Sequence, residues 1–89
     1  MELLKTGEFE RDIKRMDKPL RAVLQNSIGK ISREPERGKP LGHFSDIFSV
    51  RIEGKRLIYH YDKKEQRITL MMYKKRNEVY EYMRQRFGR

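Results

Sequence analysis

With 89 residues the chain suits one domain with a thin core, spanning 1–89. It has no cysteine and so no disulfide framework or thiolate metal site, and its longest apolar-rich stretch, 68–73, is far too short to cross a membrane. Lys plus Arg number 22 against 13 Asp plus Glu, a net charge of +9, and such a surplus implies an anionic partner, a nucleic acid first and an acidic protein second.

The first residues carry no long apolar run, so a secretory signal is not expected and the location reads as cytoplasmic. Residues 2–5 read as a short strand. Phe9, Ile13, Met16 and Leu20 then recur at helical spacing among charged residues, with Thr6 placed to cap the helix. Asp17 and Pro19 interrupt that helix; proline suits the first turn of a second one and aspartate its cap. Leu20, Val23, Leu24, Ile28 and Ile31 form the apolar stripe of the second helix, so the two pair as a hairpin. Pro35, Gly38, Pro40 and Gly42 mark 33–42 as a loop.

The period then changes to two. Phe48, Val50 and Ile52 alternate with polar residues, 53–55 is a tight turn, and 56–61 is a β-rich run. After a second turn at 62–66, Ile68, Leu70 and Met72 alternate again. Short turns between three such runs predict an antiparallel meander, with the helical hairpin on one face and the other left for solvent or a ligand. From Lys74 the helical period returns through Val79, Met83 and Phe87, with Asn77 as its cap. The expected fold is α+β: a small antiparallel β-sheet in the order β-α-α-β-β-β-α, with a helical hairpin packed on one face.

Strand parity locates the chemistry. If Phe48, Val50 and Ile52 face the core, Ser49 and Arg51 face out; if Leu57, Tyr59 and Tyr61 point in, Arg56, Ile58 and His60 point out. Arg51 and Arg56 therefore share the uncovered face, and Lys74, Lys75 and Arg76 follow beside it. Cations converging on one sheet face can grip phosphates, whereas any one of them alone is more often a solvated side chain.

Four segments in this order, Gly38-Lys-Pro-Leu41, Phe48-Ser-Val-Arg-Ile52, Lys55-Arg-Leu-Ile-Tyr59 and Lys74-Lys-Arg-Asn-Glu-Val-Tyr80, resemble the RelE/ParE toxin superfamily over nearly the whole chain. Its RelE branch implies the toxin of a type II toxin-antitoxin system, a metal-independent endoribonuclease (an mRNA interferase) acting in the ribosomal A site without a cofactor. A ribose 2′-OH attacks its adjacent phosphate and the next 5′-oxygen leaves. That reaction needs a base for the 2′-OH proton, fixed cations for the pentacoordinate phosphate, and help for the leaving oxygen.

The resemblance gives Arg56 the scissile phosphate, Arg51 the charge of the transition state, and Lys74 a place near the phosphate, with Lys75 or Arg76 as substitutes. Tyr80 would orient the substrate or stack on a base. Ser49 stands where some relatives carry a lysine, and an unactivated serine is a poor base. His43, His60, Glu53 or a lysine of lowered pKa are left for that task. Ser49, Lys75, Arg76 and His60 are expected around the substrate. The ParE branch shares the fold and poisons DNA gyrase; a non-catalytic, basic nucleic-acid- or protein-binding domain is the third reading. The implied partners are a 70S-type ribosome with its mRNA and a cognate acidic antitoxin, with no membrane. The antitoxin's amphipathic helix would lie over the active face or displace the last helix, Asn77 to Phe87, with exposed positions such as Phe9, Leu20 and Met83 as part of its groove.

Overall fold

The structure is a computed structural model that describes residues 1–87, Phe87 by its backbone alone. Its elements are β1 (Glu2–Lys5), α1 (Gly7–Ile13), α2 (Lys18–Arg33), β2 (Lys39–Pro40), β3 (Ile47–Ile52), β4 (Lys55–Asp62), β5 (Arg67–Lys74) and α3 (Arg76–Phe87). The helix starts follow capping chemistry. Thr6 Oγ1 accepts from the Phe9 N–H at 3.0 Å, and Asp17 Oδ1 accepts from the Leu20 N–H at 3.1 Å with Pro19 in the first turn. At α3 the expected cap, Asn77, lies inside the helix. Lys75 takes the cap position: its carbonyl accepts from Val79 N–H, and its own N–H is satisfied by Glu78 Oε1 at 3.1 Å.

The five strands form one sheet in the order β1-β5-β4-β3-β2. The β3-β4-β5 meander is antiparallel, as its turns imply. Glu53 and Gly54 join β3 to β4 with φ of 50° and 83°, the positive values that a two-residue type I′ hairpin turn requires. Two edge strands extend the meander. β2 lies inside the stretch read as loop and pairs antiparallel with β3 through Lys39↔Ser49 and Pro40↔Phe48; a proline is tolerated there because the strand is an edge. β1 runs parallel to β5, which makes the sheet mixed rather than purely antiparallel.

Each face of the sheet carries its own core. Phe9 of α1 and Leu24, Ile28 and Ile31 of α2 pack on Phe48, Ile52, Leu57, Tyr59, Tyr61, Ile68, Leu70 and Tyr73. On the opposite face Val79 and Met83 of α3 pack on Leu41, Ile47, Ile58 and Met72. The face expected to be free is thus partly covered by α3. Phe9 and Met83 are buried in these cores, at 1% and 8% exposure, and cannot be docking positions for a partner; Leu20 is half-buried. The contribution of the Phe87 side chain to the α3 stripe lies outside the described residues.

A β-bulge in β5 lets one strand serve both cores. Ile58 pairs with Met72 and the next residue, Tyr59, with Leu70, so Met71 is an extra residue. The strict alternation Ile68-Leu70-Met72 read from sequence breaks there. Met72 turns to α3, with Met71 packed beside it, and Tyr73 turns to the hairpin core. The outer edge of the bulged segment is satisfied from α1 and its cap: the Thr6 hydroxyl donates to Met71 O at 2.6 Å, and the Tyr73 N–H donates to Asp12 Oδ2 at 2.9 Å. Among the described residues no helix is long and apolar enough to cross a membrane.

Candidate anion-binding site

The site grows from the β3-β4 register. Arg51 stands directly opposite Arg56, and Ser49 opposite Ile58. In an antiparallel pair such partners project from the same face about 5 Å apart, so parity on these two strands is as the sequence implies. Two like charges placed opposite each other repel, and among the described residues no carboxylate pairs with either of them. The Arg56 Nη1 lies 3.4 Å from Ser49 Oγ, and Ser49 is buried at 7% exposure.

Around this pair run three adjoining depressions. One, about 350 Å³, is lined by Lys39, Pro40, Leu41, Ser49, Arg56, Arg76 and Tyr80, among others. A second is walled by Arg51, Gly54, Arg56 and Arg76, and a third by Arg37, Gly38, Lys39, Ser49, Arg51 and Arg56 with Val50. Among the described residues no carboxylate lines any of them. Among the described residues Arg51, Arg56 and Arg76 form no ion pair. Arg76 is the first residue of α3, so the positive end of that helix faces the same cleft. The Arg76 guanidinium lies 5.7 Å from the centre of the Tyr80 ring, and Tyr80 is 53% exposed, an aromatic platform on the rim.

The structure brings Arg51, Arg56, Ser49, Arg76 and Tyr80 together and leaves the other expected residues elsewhere. Lys74 is opposite Arg56 in register, yet its ammonium is held by Glu8 Oε2 at 2.6 Å and Asp12 Oδ1 at 2.8 Å on α1. Burial pulls the Lys74 pKa down, but the hydrogen bonds to Asp12 and Glu8 outweigh it, and the net shift is upward. The same contact holds the Glu8 carboxyl below its ordinary range, with help from Arg11. Lys74 therefore lines a separate, larger depression of about 740 Å³ between α1 and α3. The Lys75 side chain lines none of the three arginine depressions, its backbone serving the α3 cap. His60 pairs with Ile47 in register, beyond Ile58, and its Nε2 is 2.8 Å from Asp46 Oδ2. His43 and Glu53 are exposed in turns and line none of these depressions.

Lys39 and the Gly38 approach are the parts that sequence reasoning left unassigned. The buried Tyr59 hydroxyl donates to Pro35 O at 2.7 Å and accepts the Gly38 N–H at 3.3 Å. A Cβ on Gly38 would come within 3.0 Å of Ser49 O, Tyr59 Oη and Val50 Cγ2. The glycine lets the loop lie flat on β3, which sets Lys39 opposite Ser49. The Gly-Lys-Pro segment was the only signal in the sequence.

A small basic α+β domain with an uncompensated arginine cleft beside an exposed tyrosine is the class that this fold and site define. A chain of the toxin-antitoxin complex RelBE2 from Mycobacterium tuberculosis is 31% identical, covering 84% of this chain and 96% of that one at a TM-score of 0.69. The intact Escherichia coli RelBE toxin-antitoxin complex matches at 15% identity over 83% of this chain and 94% of that one, TM-score 0.75. A YoeB/ParE toxin from Agrobacterium tumefaciens matches at 23% identity over 83% and 96%, TM-score 0.71. The last two show likeness of fold alone. No family model matches the chain, and no curated protein matches it either. The chain belongs to the RelE-like toxin superfamily.

Proposed function

We propose that this chain is the toxin of a type II toxin-antitoxin system and cuts messenger RNA in the ribosomal A site. The observation that carries the reading is the cluster of Arg51, Arg56 and Arg76 with no counter-charge among the described residues. A protein that holds three guanidinium groups together without an acid invites an anion, and phosphate fits their fork geometry. In this reading Arg56, half-buried and steadied by Ser49, grips the scissile phosphate. Arg51 and Arg76 take up the charge that builds on it as the 2′-oxygen attacks and the 5′-oxygen departs. Tyr80 stacks on or orients a neighbouring base. Arg76 takes the place first given to Lys74, whose charge is already engaged.

A cognate acidic antitoxin follows from the same reading: in two of the similar structures above the toxin lies in a complex with an antitoxin, and a +9 chain would bind an acidic partner fast and in a salt-sensitive way. Ribosome-dependent activity places the protein where ribosomes are, in the cytoplasm.

The test is messenger cleavage on programmed ribosomes, wild type beside Arg56→Ala. Cuts confined to the A-site codon, reduced by about 100-fold or more in the variant, are the expected result. A folded, antitoxin-free wild type that leaves the messenger intact refutes the nuclease, and gyrase-linked DNA breaks in its place would establish the gyrase-directed activity.

A further inference from the structure

We infer that Lys39 is a further catalytic residue of this site, donating from the edge strand a cationic hydrogen bond to the scissile phosphate that Ser49 does not supply. The inference rests on the nuclease reading above. On β3 Arg51 is opposite Arg56, and two residues before it stands Ser49, a buried hydroxyl 3.4 Å from Arg56 and no source of charge. Lys39 of β2 is directly opposite Ser49 in the antiparallel register, so the two side chains leave the sheet on the same face. Lys39 is exposed, and it lines two of the three depressions, in both of them together with Ser49 and Arg56. It makes no ion pair among the described residues.

The placement is built into the backbone. β2 is only two residues long, yet Leu41 N–H bonds Ile47 O at 2.8 Å beyond it, and Gly38 is fastened to Tyr59 before it. The close approach of Gly38 to β3, which a side chain would block, brings the Lys39 Cα into register. The result is a ring of cations around one concavity, Lys39 on one side of Ser49 and Arg56 on the other, with Arg51 and Arg76 closing it. There Lys39 donates to a non-bridging phosphate oxygen and transfers no proton.

The experiment measures single-turnover cleavage on saturating programmed ribosomes for the wild type, Lys39→Met, Lys39→Arg and the double variant Lys39→Met/Ser49→Lys. Lys39→Met should lose about 30-fold in rate with its melting temperature unchanged, since the side chain is exposed. Lys39→Arg should stay within about threefold. The double variant should recover most of the loss, because a lysine at 49 can extend from the buried backbone into the same cleft. A Lys39→Met rate equal to wild type overturns the inference and leaves the nuclease standing. So does a loss confined to ribosome affinity, with the saturated rate unchanged. A wild type that does not cut overturns both.

Discussion

Lys74→Met removes a charge and keeps most of the aliphatic side chain. The native ammonium lies 2.6 Å from Glu8 and 2.8 Å from Asp12, with side-chain exposures of 16%, 18% and 12% for the three residues. Breaking a fully buried pair by removing one partner costs about 3–5 kcal/mol, whereas an exposed pair is worth about 0–1 kcal/mol. This cluster is between the limits. Glu8 keeps Arg11 and Asp12 keeps the Tyr73 N–H after the substitution, so neither carboxylate is stranded. The expected loss is about 2 kcal/mol, which lowers the melting temperature of a domain of this size by about 10 °C. Thermal and urea unfolding measure it, and Glu8→Gln made singly and with Lys74→Met should show a coupling of at least about 1 kcal/mol. Cleavage measured well below the melting point should fall much less than in Arg56→Ala. A stability loss under about 0.5 kcal/mol, or abolished cleavage in a stably folded variant, would refute the assignment of Lys74 to the α1 contact and return it to the phosphate.

Three further outcomes follow from the geometry. Arg51→Met should raise stability by about 0.5 kcal/mol by removing the like-charge cross-strand pair, while reducing messenger cleavage; a destabilised variant would mean that the two guanidinium groups are not in conflict. Gly38→Ala, whose Cβ would meet three atoms at 3.0 Å, should cost about 1–3 kcal/mol, and amide exchange at 35–41 should speed up; an unchanged melt would show that the loop does not lie flat on β3. Glu8 has a depressed folded pKa, so its contribution is present above the unfolded value and is lost as pH falls through the folded one. Stability should therefore decline below about pH 4.5, less steeply in Glu8→Gln, and equal slopes in the two proteins would contradict the Lys74 and Arg11 contacts.

Much of the fold was legible because local chemistry decided it. Thr6, Asp17 and Pro19 specify their helix starts within one turn, and β3 and β4 carry unbroken alternation, so the facing of Arg51 and Arg56 could be read directly. β5 defeated the same rule because a bulge has no sequence period; only its cross-strand register exposes Met71. Lys74 was misplaced for another reason. Its partners lie 62 and 66 residues away in the chain, and no local pattern reports a contact at that separation. Lys39 was overlooked because a two-residue strand is too short to alternate. The uncovered face was overestimated because α3 has a weak apolar stripe, and the burial of Val79 and Met83 depends on where β5 delivers the helix.

The single inserted residue in β5 also fixes which side of the sheet the C-terminal segment crosses. Met71 advances the pleat by half a period, so everything after it is rotated relative to an unbulged strand. In a regular strand of the same sequence Met72 would point with Leu70 at the helical hairpin and Tyr73 at the space where α3 rests. The helix carrying Arg76 and Tyr80 would then have to leave from the wrong side. The bulge is thus as consequential as any side chain of the site: straightening β5 with Met71 still in it would dismantle the cleft with every one of its cationic residues still encoded.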